Sequence, residues 1–300
     1  MNRSNRSILV ILLIASALFA ADDGYRAQVE RFRRSRDEFL RSPRGPLLQA
    51  GRYRVNEGTS TLGSDPASTM VLPANAPRHV GSVVRHGNQF VFQPSAEIQA
   101  NLNNQPITEP VTVLTNGAPS PPDRIGFGAF KFRIHQLNNE FYLFLSDSKS
   151  PFLRAFAGTT WFPINPAYRV DAQFVPTARQ RAVLVPFTDG SQTAYTVMGD
   201  LVFQLGGQNL RLKVLVSPDD KKPFILFQDQ TSGKETYGDG RMLDVDSPVN
   251  GKVTLDFNEA FNTFCAYDPY AVCPISLEEN RLAILIRAGE TYHRLVVFAR

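Results

Sequence analysis

Short apolar runs, most of them alternating with polar residues, recur along the chain from residue 47 to its end. The clearest run extends from Tyr168 to Phe174, and its strict alternation is typical of a β-strand with one buried face. His86-Gly87-Asn88 separates two apolar runs with residues that favour a tight hairpin. Regular spacing of short strands predicts a β-sandwich first and a second antiparallel β domain after it. The predicted fold class is mainly β, with short helices only in the C-terminal loops.

The same patterns divide the chain into segments. A typical domain has roughly 150 residues, so a chain of 300 residues favours two domains. The predicted segments are residues 1–21 as a signal peptide, 22–44 as a basic amphipathic helix, 45–149 as the β-sandwich and 150–300 as the second β domain. The last two strands are expected at Leu282 to Ile286 and at Leu295 to Phe298.

The N-terminus has the features of a secretory signal. Arg3 and Arg6 precede the apolar run that begins at Ile8, and small residues follow it up to Ala21. The run is shorter than the roughly 20 residues that a membrane-spanning helix needs. We therefore expect cleavage near Ala20 or Ala21, no transmembrane span in the mature chain, and an extracytoplasmic, periplasmic location. Retention of the segment as an anchor is the alternative.

Residues 25–41 carry apolar side chains near helical spacing, and Ser42-Pro43 would end the helix. Seven arginines lie between Arg26 and Arg44. One interpretation is a weak contact with a membrane surface or an anionic partner. The other is a helix whose apolar stripe lies on the first domain while its arginines stay in water. The narrow stripe favours the second interpretation.

Net charge argues against a nucleic-acid partner. The formal net charge is +4, but residues 1–21 and 22–44 each contribute +2, so residues 45–300 sum to zero. A nucleic-acid-binding surface needs a basic patch that this part of the chain does not supply by composition.

Polar and charged residues concentrate between Phe227 and Glu290. Buried polar groups must find partners inside the fold or in a ligand. Arg241 lies among glycines, where it could hold a carboxylate or phosphate or brace a nearby aspartate. We expect it to form one cluster at the mouth of the second domain with Asp229, Tyr237, Asp256 and Asn258. The candidate ligand-binding residues are Asp229, Glu235, Tyr237, Arg241, Asp256, Asn258, Asn262, Glu278 and Asn280.

Helix caps offer a structural explanation for some of these residues. Asp256 and Ser276 each precede an acidic residue by three positions, the pattern of a helix N-terminus. Asp256, Asn258 and Asn262 can also be read as ligands of a hard cation such as calcium, completed by Asp229 or Glu278. Their spacing fits no established calcium loop, so no metal and no cofactor are predicted.

These motifs resemble a known family. The run F-x-D-x-T-x-G-x-x-T-Y-G-x-G-R, followed by L-D-F-N, N-x-x-C-A-Y, C-P, E-N-R-L and A-G-E, resembles the domain-of-unknown-function 1684 family. The resemblance extends upstream through Leu62-Gly63-Ser64-Asp65, Val80-Gly81 and Trp161-Phe162-Pro163. Thr263-Phe264 and Ser276-Leu277 stand where that family has prolines, so these loops are expected to be less rigid. The resemblance implies a fold and a site location but no activity.

The first domain weakly resembles the forkhead-associated sandwich in the order of Leu62-Gly63, Val71-Leu72-Pro73 and Arg78-His79. Ser64 stands where that family has its phosphate-reading arginine, and Pro77 lies near the position of its serine. Phosphothreonine recognition is therefore not expected to carry over.

Cys265 and Cys273 are the only two cysteines, and export favours a disulfide between them. The closed loop of about nine residues would contribute roughly 2.5 kcal/mol to stability in the chain-entropy model. A pair of free thiols is the alternative. A catalytic thiol is not expected, because no histidine lies near either cysteine in the sequence.

Two functions remain open. The sequence has no G-x-S-x-G, H-E-x-x-H, P-loop or dinucleotide-binding signature. The favoured function is a non-catalytic, exported binding or envelope-associated protein that holds a small polar or anionic ligand in its second domain. The alternative is a hydrolase-like enzyme, with or without a hard metal ion, whose acid and base are two carboxylates. The candidate carboxylates are Asp229, Glu235, Asp256, Glu278 and Glu290.

Overall fold

A computed structural model of the chain describes residues 23–117, 121–137, 139–218 and 222–294. The predicted signal peptide and the predicted strand from Leu295 to Phe298 lie outside these residues. The chain divides into two compact units. We call residues 40–157 with 267–272 the sandwich unit, and residues 23–39, 158–266 and 273–293 the motif unit. The fold is mainly β, as the sequence predicts.

Helix α1 covers residues 23–41. The strands and the short helix that follow it in the sandwich unit are β1 Gln49–Arg54, β2 Gly58–Gly63, β3 Met70–Val71, β4 Gly81–His86, β5 Gln89–Pro94, β6 Ala100–Leu102, β7 Gln105–Ile107, β8 Val111–Thr112, β9 Ile125–Phe127, β10 Phe130–Leu137, β11 Glu140–Asp147 and α2 Pro151–Ala155. The strands of the motif unit are β12 Arg169–Pro186, β13 Gln192–Leu205, β14 Gln208–Val216, β15 Phe224–Phe227, β16 Arg241–Asp244, β17 Lys252–Asp256 and β18 Phe261–Asn262.

The sandwich unit contains two sheets. One has the order β1-β11-β10-β9-β6-β7 and the other β3-β2-β4-β5-β8. Alternating residues of both sheets meet in one core, where Phe90 lies 4.8 Å from Phe141 and Phe92 lies 5.3 Å from Phe132 between ring centroids. The hairpin predicted at His86-Gly87-Asn88 joins β4 to β5, and Gly87 has the positive φ of 59° that such a turn requires.

The motif unit contains one sheet with the order β17-β12-β13-β14-β15-β16-β18. Its two long strands, β12 and β13, stay continuous through register shifts between Pro176 and Arg181 and between Val197 and Gly199. Two apolar clusters pack on the sheet, one around Leu201 and Phe227 and the other around Val185 and Leu226. Short 3-10 turns follow the strands at Phe257–Glu259, Phe264–Ala266 and Glu278–Asn280, as expected for the C-terminal loops.

The structure contradicts one strand prediction and one prediction about the N-terminal helix. The segment Leu282 to Ile286 is not a strand, because its backbone groups bond to Gln228, Gln230 and the Asp229 carboxylate rather than to a ladder. Residues 23–39 of α1 belong to the motif unit rather than to the first domain, since Phe32 packs 6.2 Å from both Trp161 and Phe261. In the described part of the chain no helix is both long and apolar enough to cross a membrane.

Candidate functional site

Arg241 begins β16 and is completely buried. Its Nη2 atom donates to the Ile286 carbonyl at 3.0 Å and lies 3.4 Å from Asp229 Oδ1, while its Nη1 atom donates to the Ala288 carbonyl. Burial lowers the pKa of Arg241, and the charge of Asp229 opposes that shift. The chain reaches this position through Gly240, where a Cβ atom would lie 2.7 Å from the Phe227 carbonyl oxygen.

The carboxylate of Asp229 is fully used inside the fold. Its Oδ1 atom accepts from the Thr231 hydroxyl at 2.7 Å, and its Oδ2 atom accepts from the Ile286 backbone N–H at 2.6 Å. Together with Arg241 these partners leave the carboxylate side chain without exposed surface. Asp229 and Arg241 therefore form an internal brace that ties β15 and β16 to the irregular segment 282–288.

A second buried carboxylate lies close to this brace. Glu290 is 1% exposed, and its Oε2 atom accepts from the Asn262 backbone N–H at 3.0 Å. Burial raises the pKa of Glu290 to about 7, although the positive charge of Arg36 opposes the shift. Arg36 comes from α1, donates to the Asn262 carbonyl at 2.8 Å and lies 4.5 Å from the ring centroid of Phe261.

Asp256 and Asn258 belong to a different network. Asp256 accepts from the Asn258 backbone N–H at 3.0 Å, so it caps the 3-10 turn as the sequence predicts. The Asn258 side-chain amide binds both backbone groups of Asn165 at 2.9 Å and donates to the Tyr25 hydroxyl at 2.9 Å. Burial, with a further contribution from Asp256, raises the pKa of Tyr25. No described hydrogen bond or ion pair connects this network to Arg241.

Glu235 and Tyr237 are half-buried in the loop before β16. Glu235 pairs with Arg287 at 3.1 Å. The Tyr237 hydroxyl donates to Asp239 at 3.0 Å, and its ring packs against Tyr292 with centroids 5.1 Å apart. Burial raises the pKa of Tyr237 above its ordinary value. These contacts stabilise the loop without directing a free polar group into a cavity.

Asn280 and Glu278 also have partners. Asn280 is fully buried, accepts from the Lys213 backbone N–H at 2.7 Å and donates to the Leu226 carbonyl at 3.0 Å. Glu278 is exposed and pairs with Arg281 at 2.9 Å. The expected cap at Ser276 is wrong, because its hydroxyl donates to the Leu226 carbonyl and Leu277 begins the turn.

An open recess of about 340 Å³ lies directly outside the brace. Gln228, Gln230, Ser232 and Arg281 line it around the backbone of Asp229. Larger recesses lie beside Asp65 and His79 on the sandwich unit, at about 480 Å³, and over β12, β13 and β17, at about 510 Å³. Neither contains a predicted site residue, whereas Asp229 lines the smaller recess.

Cys265 and Cys273 form a disulfide-capable pair in the motif unit. Their sulfur atoms lie at bonding distance and their Cα atoms are 6.0 Å apart, within the usual range for a bridge. Within the described residues, no group of three or more histidine, cysteine, aspartate or glutamate side chains is arranged to hold a metal ion.

Sequence reasoning missed Arg36 and Arg281. Arg36 repeats the helical spacing of Val29 and Phe32, which marks it as a core-facing position despite its charge. Arg281 follows Asn280 in a matched motif, but the motif does not distinguish the exposed arginine from its buried neighbour. The available signal for Arg36 is its place in the apolar stripe of the helix, and the sequence contains no such signal for Arg281.

Comparison with known proteins identifies the family. Residues 154–291 match the family described as protein of unknown function (DUF1684). The chain thus belongs to this family through residues 154–291. Of the motifs that carried the resemblance, those at residues 62–65 and 80–81 lie outside the matched region and Trp161-Phe162-Pro163 lies inside it.

Solved structures that are similar to parts of the chain include the following two. An uncharacterized protein of Haloarcula marismortui, solved by solution NMR, is 30% identical, with 46% of this chain and 78% of that chain covered and a TM-score of 0.40. EmbR of Mycobacterium tuberculosis, in complex with a low-affinity phosphopeptide, is 15% identical, with 38% and 28% covered and a TM-score of 0.21. A search of curated proteins finds no match.

Proposed function

We propose that the chain is an exported, non-catalytic binding protein of the cell envelope that holds a small anionic ligand in the recess beside Asp229. The observation that carries this proposal is that four of the five carboxylates predicted as catalytic already have partners within the protein. Asp229 is braced by Arg241, Asp256 caps a turn, and Glu235 and Glu278 are paired with arginines. No two of them converge on a recess in the described residues, as an acid and base pair would require.

Glu290 does not support the enzymatic alternative. A pKa of about 7 would suit a general acid, but the side chain is 1% exposed and lies beneath α1. A general acid must come within hydrogen-bonding distance of its substrate. Because Glu290 lines none of the recesses described above, its raised pKa is best explained as a consequence of burial.

Arg281 is the group best placed to bind an anion in the recess. Its side chain is 51% exposed, and its partner Glu278 is 80% exposed. Ion pairs at such exposure contribute about 0–1 kcal/mol, so a ligand can replace Glu278 at little cost. A carboxylate or phosphate would gain bidentate hydrogen bonds from the guanidinium. Gln228, Gln230 and Ser232 supply the neighbouring polar groups.

Arg241 has a different role in this proposal. It is buried and its guanidinium is directed at Asp229 and two carbonyls, so it positions the wall of the recess and does not contact the ligand. This assignment separates the two arginines, because Arg241 acts on stability and Arg281 acts on binding.

Export is part of the proposal. It is supported by the signal-like residues 1–21 and by the disulfide-capable pair Cys265 and Cys273, which suits an oxidising compartment. Weak contact with an anionic membrane surface is confined to exposed arginines of α1 such as Arg31 and Arg34, since Arg33 and Arg36 are directed into the motif unit.

A thermal-shift panel of small carboxylates, phosphate and sulfate tests the binding proposal. At least one anion should raise the unfolding midpoint of the native chain saturably, and Arg281→Ala should abolish that rise. Arg211→Ala is the matched control, because Arg211 is a 62% exposed arginine of the same unit paired with Asp200. An equal response in both variants would place the site elsewhere, and hydrolysis of an ester or glycoside substrate that Asp229→Asn abolishes would favour an enzyme.

A further inference from the structure

Arg36 is a charged side chain buried beneath α1. It is 8% exposed, and its guanidinium carbon lies 4.5 Å from the ring centroid of Phe261 and 5.9 Å from that of Phe264. Its Nη2 atom donates to the Asn262 carbonyl at 2.8 Å. The ring of Phe39, on α1 itself, lies 5.7 Å away. Aromatic faces and a carbonyl acceptor are the surroundings in which a planar guanidinium binds well.

Arg36 and the two residues at and after its acceptor keep buried polar atoms without partners. Asn262 Oδ1 and Thr263 Oγ1 are buried and have no hydrogen-bond partner in the described structure, and neither has Arg36 Nε. The charges of Glu290 and of the Arg36 guanidinium attract each other, but no direct ion pair joins the two groups in the described residues. Buried acceptors without donors are costly. The surroundings of Arg36 thus combine aromatic faces and a carbonyl acceptor with buried polar atoms that remain unsatisfied.

The pocket and its occupant come from different parts of the chain. Phe261, Asn262, Phe264 and Glu290 all lie within the region that matches the family, whereas Arg36 lies outside it. The cation is thus supplied by a segment appended to the family domain, while the aromatic and carboxylate groups belong to that domain.

We propose that Phe261, Asn262, Phe264 and Glu290 form a binding site for a guanidinium group, which Arg36 occupies in cis and which an arginine-bearing ligand can occupy in its place. The site is separate from the anion-binding recess. A compact ammonium is a poorer ligand here, because it is more strongly hydrated and cannot present a planar face to both rings. Since α1 is also held by Phe32 and by the bond from Asn258 to Tyr25, exchange of the Arg36 side chain does not require loss of the helix.

Chemical rescue of the full-length Arg36→Ala variant tests this site. The variant should unfold at a lower temperature than the native chain, and millimolar methylguanidine should raise its midpoint saturably. Methylamine at the same concentration should not. Arg34→Ala, which removes an exposed arginine of the same helix, should show neither the loss nor the rescue. Adding Glu290→Gln to Arg36→Ala should raise the methylguanidine concentration needed for half of the rescue at least several-fold.

A second measurement applies to the native chain and does not depend on the stability of a variant. A peptide with the sequence of residues 23–41 should increase amide hydrogen exchange in α1, whereas the same peptide with Arg36→Ala should have no effect. A response to methylguanidine alone would indicate a site for free small guanidinium compounds, and a response to the peptide as well would indicate a polypeptide ligand. The proposal is wrong if Arg36→Ala shows no saturable response to methylguanidine, or if Arg34→Ala or methylamine gives the same response.

Discussion

Replacing Arg241 with methionine tests the internal brace of the motif unit. The substitution keeps an unbranched apolar stem but removes the guanidinium, so the Asp229 carboxylate stays buried without its cation. Breaking a buried pair in this way costs about 3–5 kcal/mol. Thr231 and Ile286 continue to donate to Asp229, which favours the lower end of that range, whereas the Ala288 and Ile286 carbonyls lose a donor. We therefore expect a loss of about 3–4 kcal/mol in the free energy of unfolding.

Urea unfolding followed by the fluorescence of Trp161 measures this loss. Trp161 is the only tryptophan and lies in the motif unit, so its transition reports the unit that contains the brace. Arg211→Ala removes a surface pair and should cost at most about 1 kcal/mol. Adding Asp229→Asn to Arg241→Met removes the stranded charge and should recover part of the loss. A loss below about 1 kcal/mol in Arg241→Met would refute the brace.

The remaining predictions concern pH, the cysteines and the N-terminus. Burial raises the pKa of Glu290 from 4.5 to about 7. Between these two pH values the folded state holds a proton that the unfolded state has released. The free energy of unfolding should therefore fall by about 3 kcal/mol as pH rises from 4.5 to 7. Urea titrations at several pH values should show this fall, and Glu290→Gln should reduce it; an unchanged pH profile in that variant would exclude Glu290 as the cause. Alkylation of the denatured, non-reduced protein should label neither Cys265 nor Cys273, and two labelled thiols would contradict the bridge. Sequencing of the mature N-terminus should begin within a few residues of Asp22, whereas an intact Met1 on membrane-extracted protein would contradict cleavage.

Hydrophobic periodicity predicts that the fold is rich in strands. It does not predict how far each strand continues or which apolar segments are irregular. The alternation predicts a strand from Tyr168 to Phe174, whereas β12 extends from Arg169 to Pro186. Register shifts let β12 and β13 continue past Pro176 and Gly199. Leu282 to Ile286 has apolar spacing like that of a strand, yet its amides are satisfied by Asp229 and neighbouring backbone. Such long-range partners leave no signature in local spacing.

For the candidate site, too, local sequence indicates which residues need partners but not which partners they find. Glycines around Arg241 indicated a special loop, and an aspartate was expected as its partner; the structure pairs it with Asp229. It places Asp256 and Asn258 in a separate network with Asn165 and Tyr25. Residue type suggested that these groups needed partners, but only the sheet order decides which partners come within reach.

The most direct test of the proposed function is mass spectrometry of small molecules that co-purify with the full-length protein from its native host. Wild-type protein should carry an anionic compound in near-stoichiometric amount. Arg281→Ala should lose this compound, and Arg211→Ala should retain it. Recovery of no anionic compound from any form, or equal recovery from wild type and Arg281→Ala, would contradict an anion-binding site in the recess beside Asp229.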